Sequence, residues 1–278
     1  MTTSRPQARK YVAEMEASDL QPTLSIPERP SDACSGSIFT ADILELPLGQ
    51  AREDAIYEQF IAGNVPAFMR QLCPISTVGM SVGGQSRLAV VWVTPDYLCI
   101  GSDEDYVRIP MSPRTAQRIA DSYGAFLPTR RVVDDVHAVA VKISPRPMAP
   151  SRLMSSVAYF VNHNDLIQEQ LRERGAELGQ LISGHKKDIV LCKALENGHD
   201  DRVAIYGWCF ADGKPIQGLN ASSHNWIYSD YSHGVRLVAH KMLVNGDARS
   251  YDEVLTDPSV AGMISDEGFL SITRYPNT

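Results

Sequence analysis

The chain has 278 residues, 44% of them hydrophobic and 21% charged, with a formal net charge of -7. That length supports a real buried core, and that composition belongs to a globular protein rather than a disordered one. The acidic balance argues against a nucleic-acid partner, which calls for a basic face, and no run reaches the ~18 apolar residues of a membrane span.

Residues 1–36 are rich in Ser, Pro, Glu and Arg and read as a flexible arm, with a short helix near "ARKYVAEMEA". One α+β domain is expected over 37–278. "REDAIYEQFIAGN" and "VPAFMRQLC" read as helices, and "STVGMSVGG" and "SRLAVVWVTPDYLCIGS" as strands turned at Gly83-Gly84. "MSPRTAQRIADSYG" carries a full set of helix signals: Ser112 as cap, Pro113 in the first turn, Gly124 at the stop. Thr129 caps a second helix with an apolar stripe at Val132, Val133, Val136, Val139, Ala140 and Ile143.

The proline-rich "SPRPMAPS" marks an internal boundary near 144–151, and "NHNDLIQEQLRERGAELGQL" reads as a polar, surface-lying helix. The last hundred residues read mainly as strands: "KDIVLCKAL", "DRVAIYGWCF", "PIQGLN" and "GVRLVAHKMLV", the last turned by Asn245-Gly246. "SYDEVLTDPSVAGMIS" is a short capped helix broken at Pro258. The expected class is therefore α+β, with helices grouped before a mixed, largely antiparallel C-terminal sheet.

Two clusters carry candidate chemistry. "SGHKKDIVL" sets His185, Lys186, Lys187 and Asp188 at the entrance of a strand. It reads either as a solvated loop or as a basic lip for an anionic group, with His185 as proton carrier. "SSHNWIYSDYSHGVRLV" holds His224, Tyr228, Asp230, Tyr231, Ser232, His233 and Arg236. If extended, it puts Tyr228, Asp230 and Ser232 on one face and Ser229, Tyr231 and His233 on the other, so Ser232 cannot bond its neighbour His233 unless the chain turns near Gly234. It reads either as a hydrogen-bonded structural corner or as half of an active site.

Elsewhere the signals are weaker. His137, in a valine-rich helix, reads as structural; His163 as a cap or a pocket residue; His199 and the acidic "GSDEDY" loop as exposed turns. The five cysteines, Cys34, Cys73, Cys99, Cys192 and Cys209, are scattered without CxxC spacing, so no disulfide scaffold or structural zinc site is expected. A reduced cytoplasmic setting fits them, or export if a leader has been removed.

The stretches "DYLCIGSDEDYVRIPMSPRTAQRIADSYGAFLPTRR", "GHKKDIVL", "VAIYGW" and "DYSHGVRLV" resemble a family of bacterial proteins with no assigned activity, so the resemblance transfers no catalytic role. "VAIYGW" followed by "YSHG" is similar to the permuted papain-like cysteine hydrolases of bacterial cell walls, but Ser232 stands nearest to where their cysteine would be. "SSHNWIYSD" is similar to the Ser-x-His…Asp element of zinc D-Ala-D-Ala-type peptidases, one residue short and without the later Trp-His partner.

The expectation is a metal-independent hydrolase or acyl-transfer enzyme, with no cofactor, acting on an amide or ester of an anionic small molecule or peptide. His185 or His233 would be the general base, Ser232 the nucleophile and Asp230 the orienter. Lys187, Arg236, Tyr228, Tyr231 and His224 would contact substrate. The alternatives are a non-catalytic ligand-binding or wall-associated module, and a zinc peptidase with His185, His224, Asp230 and His233 as ligands. All of it requires the two clusters, nearly fifty positions apart, to meet at one pocket.

Overall fold

The computed structural model describes residues 21–80, 86–196, 198–199 and 201–276. The helix expected near the N-terminus and the Gly83-Gly84 turn lie outside them. From Gln21 the expected arm is docked against the body. Gln21 donates to the Leu72 carbonyl, the Ser25 amide to the Tyr123 carbonyl, and Arg29 to Asn64 and to the Gly101, Ala33 and Cys34 carbonyls. Composition registers a weak apolar content here; it cannot register hydrogen bonds to distant backbone.

The fold is α+β, with six α-helices among the described residues and mostly antiparallel strands. Helix α1 (Gly36–Asp42) starts at Ser35, whose side chain accepts the Ile38 amide, and α2 (Gln50–Ile61) buries Arg52, Glu53, Ile56 and Phe60. "VPAFMRQLC" forms only a short 3-10 turn over Ala67–Arg70. Strands β1 (Cys73–Met80) and β2 (Ser86–Val93) pair antiparallel, Cys73 opposite Val93. Short β3 (Cys99–Gly101) and β4 (Tyr106–Arg108) form a second hairpin.

Helix α3 (Pro113–Tyr123) has the cap, proline and αL Gly124 stop that its sequence announces. After β5 (Ala125–Phe126), α4 (Arg130–Val139) follows its Thr129 cap. The apolar stripe outruns this helix. Val132, Val133 and Val136 are buried but Val139 is exposed, because β6 (Val141–Lys142) leaves the helix to pair with β7 (Ile182–Ser183). Helix α5 (Val157–Arg174) starts earlier than expected, at the Ser156 cap, and buries Tyr159, Phe160, His163 and Ile167. It is amphipathic, not merely surface-lying.

Strands β8 (Lys187–Ile189), β9 (Ile205–Cys209) and β10 (Pro215–Asn220) pair antiparallel, and β11 (His233–Gly234) adds to β8 in parallel. The run expected as one strand over 234–244 breaks into β11, β12 (Val238–Ala239) and β13 (Lys241–Val244). Both β12 and β13 pair with β2. An Asn245-Gly246 turn, both residues at positive φ, leads to β14 (Asp247–Ser250), and a capping box opens α6 (Tyr251–Thr256). The six-stranded sheet therefore joins residues from both halves of the chain. One apolar cluster extends from Phe39 to Tyr275 around it. No helix among the described residues is long and apolar enough to cross a membrane.

Candidate functional site

The two clusters meet. In the parallel β8–β11 pair His233 lies opposite Lys187 and Gly234 opposite Asp188, and the Lys187 amide donates to the Ser232 carbonyl at 2.6 Å. Gly234 permits this approach. A Cβ there would sit 2.5 Å from the Tyr97 ring, closer than non-bonded carbons come.

The segment before β11 is not extended, so the expected alternation of faces does not apply. Asp230 Oδ1 accepts from the Ser232 amide at 2.8 Å and from Ser232 Oγ at 2.5 Å, and the Asp230 carbonyl accepts the His233 amide at 3.0 Å. An aspartate bonding the backbone two residues on makes a turn in preference to a strand. The Ser232 hydroxyl is thereby committed to the carboxylate and not to an imidazole.

On one side of the pair stands a closed ionic network. Arg108 Nε and Nη2 donate to Asp96 Oδ2 at 2.8 and 2.7 Å, and His185 Nε2 lies 3.1 Å from Asp96 Oδ1. Burial raises the Asp96 pKa, but Arg108 and the His185 bond outweigh it and hold the carboxyl well below its usual range. Burial lowers His185 to about 4 against the pull of Asp96. Tyr97 donates to Asp188 Oδ2 at 2.8 Å; burial pushes Asp188 up to about 7 despite Arg236.

Arg236, expected at substrate, instead donates to the Thr94 and Ile182 carbonyls at 2.5 and 2.7 Å and lies over the Tyr97 ring. It ties strand ends together. Lys186 donates to the Tyr231 carbonyl at 2.7 Å and lies 3.5 Å from His163 Nδ1; burial lowers its pKa to about 7.

On the other side stands His233. Its ring is fully buried, neither nitrogen has a hydrogen-bond partner, and Nε2 is 3.7 Å from Asp230 Oδ2. Burial lowers it to about 4, opposed by Asp230. Burial raises Asp230, but His233, Lys187 and the Ser232 bonds outweigh it and hold the carboxyl at about 2, so it is ionised at neutral pH. Tyr228 donates to Asp230 Oδ2 at 3.1 Å and stacks on His224 with centroids 4.0 Å apart. Lys187 Nζ lies 3.9 Å from Asp230 and 5.4 Å from the Trp208 ring centre, with its side chain 11% exposed.

Trp208 itself has φ 55°, a left-handed conformation that costs a bulky residue roughly 1–2 kcal/mol. Such strain gathers at functional sites. Tyr231, expected at substrate, accepts the Met148 amide on its hydroxyl and so pins the proline-rich loop.

The sequence-predicted residues thus divide. His233, Asp230, Ser232, Lys187, Tyr228 and His224 cluster, while His185, Arg236 and Tyr231 have structural partners. Asp96, Arg108, Tyr97 and Trp208 escaped sequence reading. Asp96 follows Pro95, a pattern that suits an exposed turn, and an aspartate's burial leaves no local mark.

His137 is structural in form. Its Nε2 must donate to the Phe210 carbonyl at 2.9 Å, since a carbonyl only accepts, which leaves Nδ1 to accept the Ser183 hydroxyl at 3.1 Å. His163 is not a cap, a part that Ser156 takes; it lies buried beside Lys186. In the acidic loop, Asp103 accepts the Phe68 amide and Asp105 accepts the amide and hydroxyl of Ser37.

Among the described residues no three His, Cys, Asp or Glu side chains gather as metal ligands, and the zinc set of His185, His224, Asp230 and His233 is not so assembled. A cleft of about 450 Å³ reaches Asp96 and Arg108, and one of about 630 Å³ is walled by Trp226 and Ile227; neither is lined by His185 or His233. Comparison with protein-family models, with curated proteins and with solved structures finds no match. Function therefore rests on the site alone.

Proposed function

We propose that the chain is a metal-independent hydrolase or acyl-transfer enzyme acting on an amide or ester of an anionic small molecule or peptide, with His233 as general base. The observation that carries this reading is the fully buried imidazole with two unpartnered nitrogens, 3.7 Å from an ionised carboxylate. A neutral imidazole beside a fixed anion is set to take a proton, because the anion stabilises the imidazolium that forms. Tyr228 and His224, half-buried, are the members of the cluster nearest to solvent, while Lys187 and Trp208 are buried; the strained Trp208 backbone supports a functional reading of the cluster.

In the proposed step His233 takes a proton from the attacking water or acceptor hydroxyl, whose oxygen bonds the substrate carbonyl carbon. The carbon–nitrogen or carbon–oxygen bond then breaks, and the leaving group takes that proton from the imidazolium. Ser232 holds Asp230 in place. Entry requires displacement of the stacked Tyr228 and His224 rings.

The complete burial of His233 favours a second reading, a binding module without turnover. A panel of N-acyl amino acids, acidic peptides and their esters, followed by mass spectrometry, separates the two. The enzyme reading expects product from wild type and a loss of ~10²- to 10⁴-fold in His233→Gln. Ligand binding retained in that variant, with no product from either form, decides for the module.

A further inference from the structure

Three arginines among the described residues are fully buried: Arg52, Arg108 and Arg236. Arg108 uses Nε, Nη1 and Nη2 on Asp96 and Asn164, and Arg236 uses Nη1 and Nη2 on backbone carbonyls. Arg52 differs. Its Nη1 donates to the Ser155 carbonyl at 2.7 Å and its guanidinium lies over the Phe160 ring, but Nε and Nη2 have no partner. The adjacent carboxylate, Glu53, is turned away: both its oxygens accept the Ser112 amide, at 3.0 and 3.2 Å. A buried donor left unmet is destabilising, and more so when charged.

The two free donors share one edge of the guanidinium. That edge presents two parallel N–H groups and matches the two oxygens of a carboxylate or phosphate. The surroundings favour the same charge. Ser155 immediately precedes Ser156, the cap of the 18-residue helix α5, so Arg52 reaches the positive end of that helix. The site also adjoins the His233 cluster: Ser155 lies near enough to Tyr228 to pull its pKa down, and the Tyr228 hydroxyl donates to Asp230.

We propose that Arg52 is an oxyanion-binding residue, taking the carboxylate or phosphate group of a small ligand on Nε and Nη2 at the start of α5. Identifying that group with the anionic end of the substrate rests on the hydrolase reading above and gives Arg52 the part that the sequence assigned to Arg236. The binding itself does not depend on turnover.

The test titrates the full-length protein, Arg52→Met and Arg52→Lys with inorganic phosphate and separately with acetate, at constant ionic strength. Calorimetry and the Arg52 Nε–H resonance are the readouts. Expected is saturable binding of one anion that shifts the Nε–H signal, weakened about tenfold or more in Arg52→Lys, which loses the fork, and abolished in Arg52→Met. The preferred anion tells carboxylate from phosphate. Equal affinity in Arg52→Lys, or an Nε–H signal unmoved by both anions in wild type, overturns the proposal. The wild-type resonance decides the matter if Arg52→Met does not fold. Anion binding at Arg52 without product from any substrate retains this site and rejects the hydrolase; product formed with unchanged KM in Arg52→Lys does the reverse.

Discussion

Two carboxylate–imidazole pairs stand on either side of the β8–β11 junction, Asp96 with His185 and Asp230 with His233. Both are buried and both imidazoles are neutral, with pKa values near 4. They differ in completion. Asp96 is saturated by Arg108 on one oxygen and by a 3.1 Å bond to His185 on the other. Asp230 takes its hydrogen bonds from Ser232 and Tyr228, leaves His233 at 3.7 Å, and has the largely buried Lys187, 3.9 Å away, as its counter-charge. The first pair is tied by a direct hydrogen bond and leaves only His185 Nδ1 without a partner, the form of a structural fastener; the second leaves both ring nitrogens of His233 unmet. Residue type alone does not distinguish fasteners from reactive groups; the remaining partners of the carboxylate do.

The comparison breaks most sharply at Arg108. Arg108→Met leaves Asp96 as an uncompensated buried charge and is expected to cost about 3–5 kcal/mol by urea denaturation. A loss below about 1 kcal/mol would remove the distinction between the two sides. His233→Gln is expected to reduce turnover ~10²- to 10⁴-fold with little change in melting temperature, and His185→Gln to lower the melting temperature through the loss of its Asp96 bond. Reversal of that pattern would exchange the two roles.

Acid should destabilise the fold above the pH range in which ordinary carboxylates titrate. His185 and His233 have folded pKa values depressed from 6.5 to about 4, and His163 is depressed further, so the unfolded chain binds more protons than the folded one as pH falls from 6.5 to 4. Asp188, raised from 3.8 to about 7, opposes this, since its folded form gains a proton first. His137 and His224, also lowered by burial, add to the fall, and Glu53, Asp134 and Asp135, also raised by burial, oppose it; the expected outcome is a net fall, about 1.4 kcal/mol per pH unit for each excess proton on the unfolded chain, read from urea midpoints between pH 7 and 4. If His233 is the base, kcat/KM should show an acid limb near pH 4 instead of near 6.5. The smallest effect expected is that of Ser232→Ala, about 1 kcal/mol of stability with activity retained. Complete inactivation would restore Ser232 as the nucleophile.

Much of the fold was legible from residue patterns. The Ser112, Pro113 and Gly124 signals bound α3, Thr129 caps α4, and Asn245-Gly246 turns β13 into β14, because these are local conformational preferences. The meeting of 185–188 with 230–234 in one sheet was also anticipated; the shared pocket expected there is not found, since neither cleft is lined by His185 or His233. What could not be read is non-local: the docking of residues 21–35 through Arg29, the break of the last apolar run into three strands, and the pairing of His185 with Asp96 across 89 positions. The alternation argument failed at Asp230 because a side chain that caps its own backbone overrides the strand period.

The parallel pairing of β8 with β11 has a kinetic consequence. A parallel neighbour cannot be reached by a tight hairpin, so the 43 residues between the two strands, from Val190 to Ser232 and including the β9–β10 hairpin, must be arranged before His233 can settle opposite Lys187. During synthesis the proposed base therefore pairs with Lys187 only after the whole intervening segment has emerged. Mutations at Gly234 should accelerate unfolding far more than they slow folding, the signature of an element absent from the transition state.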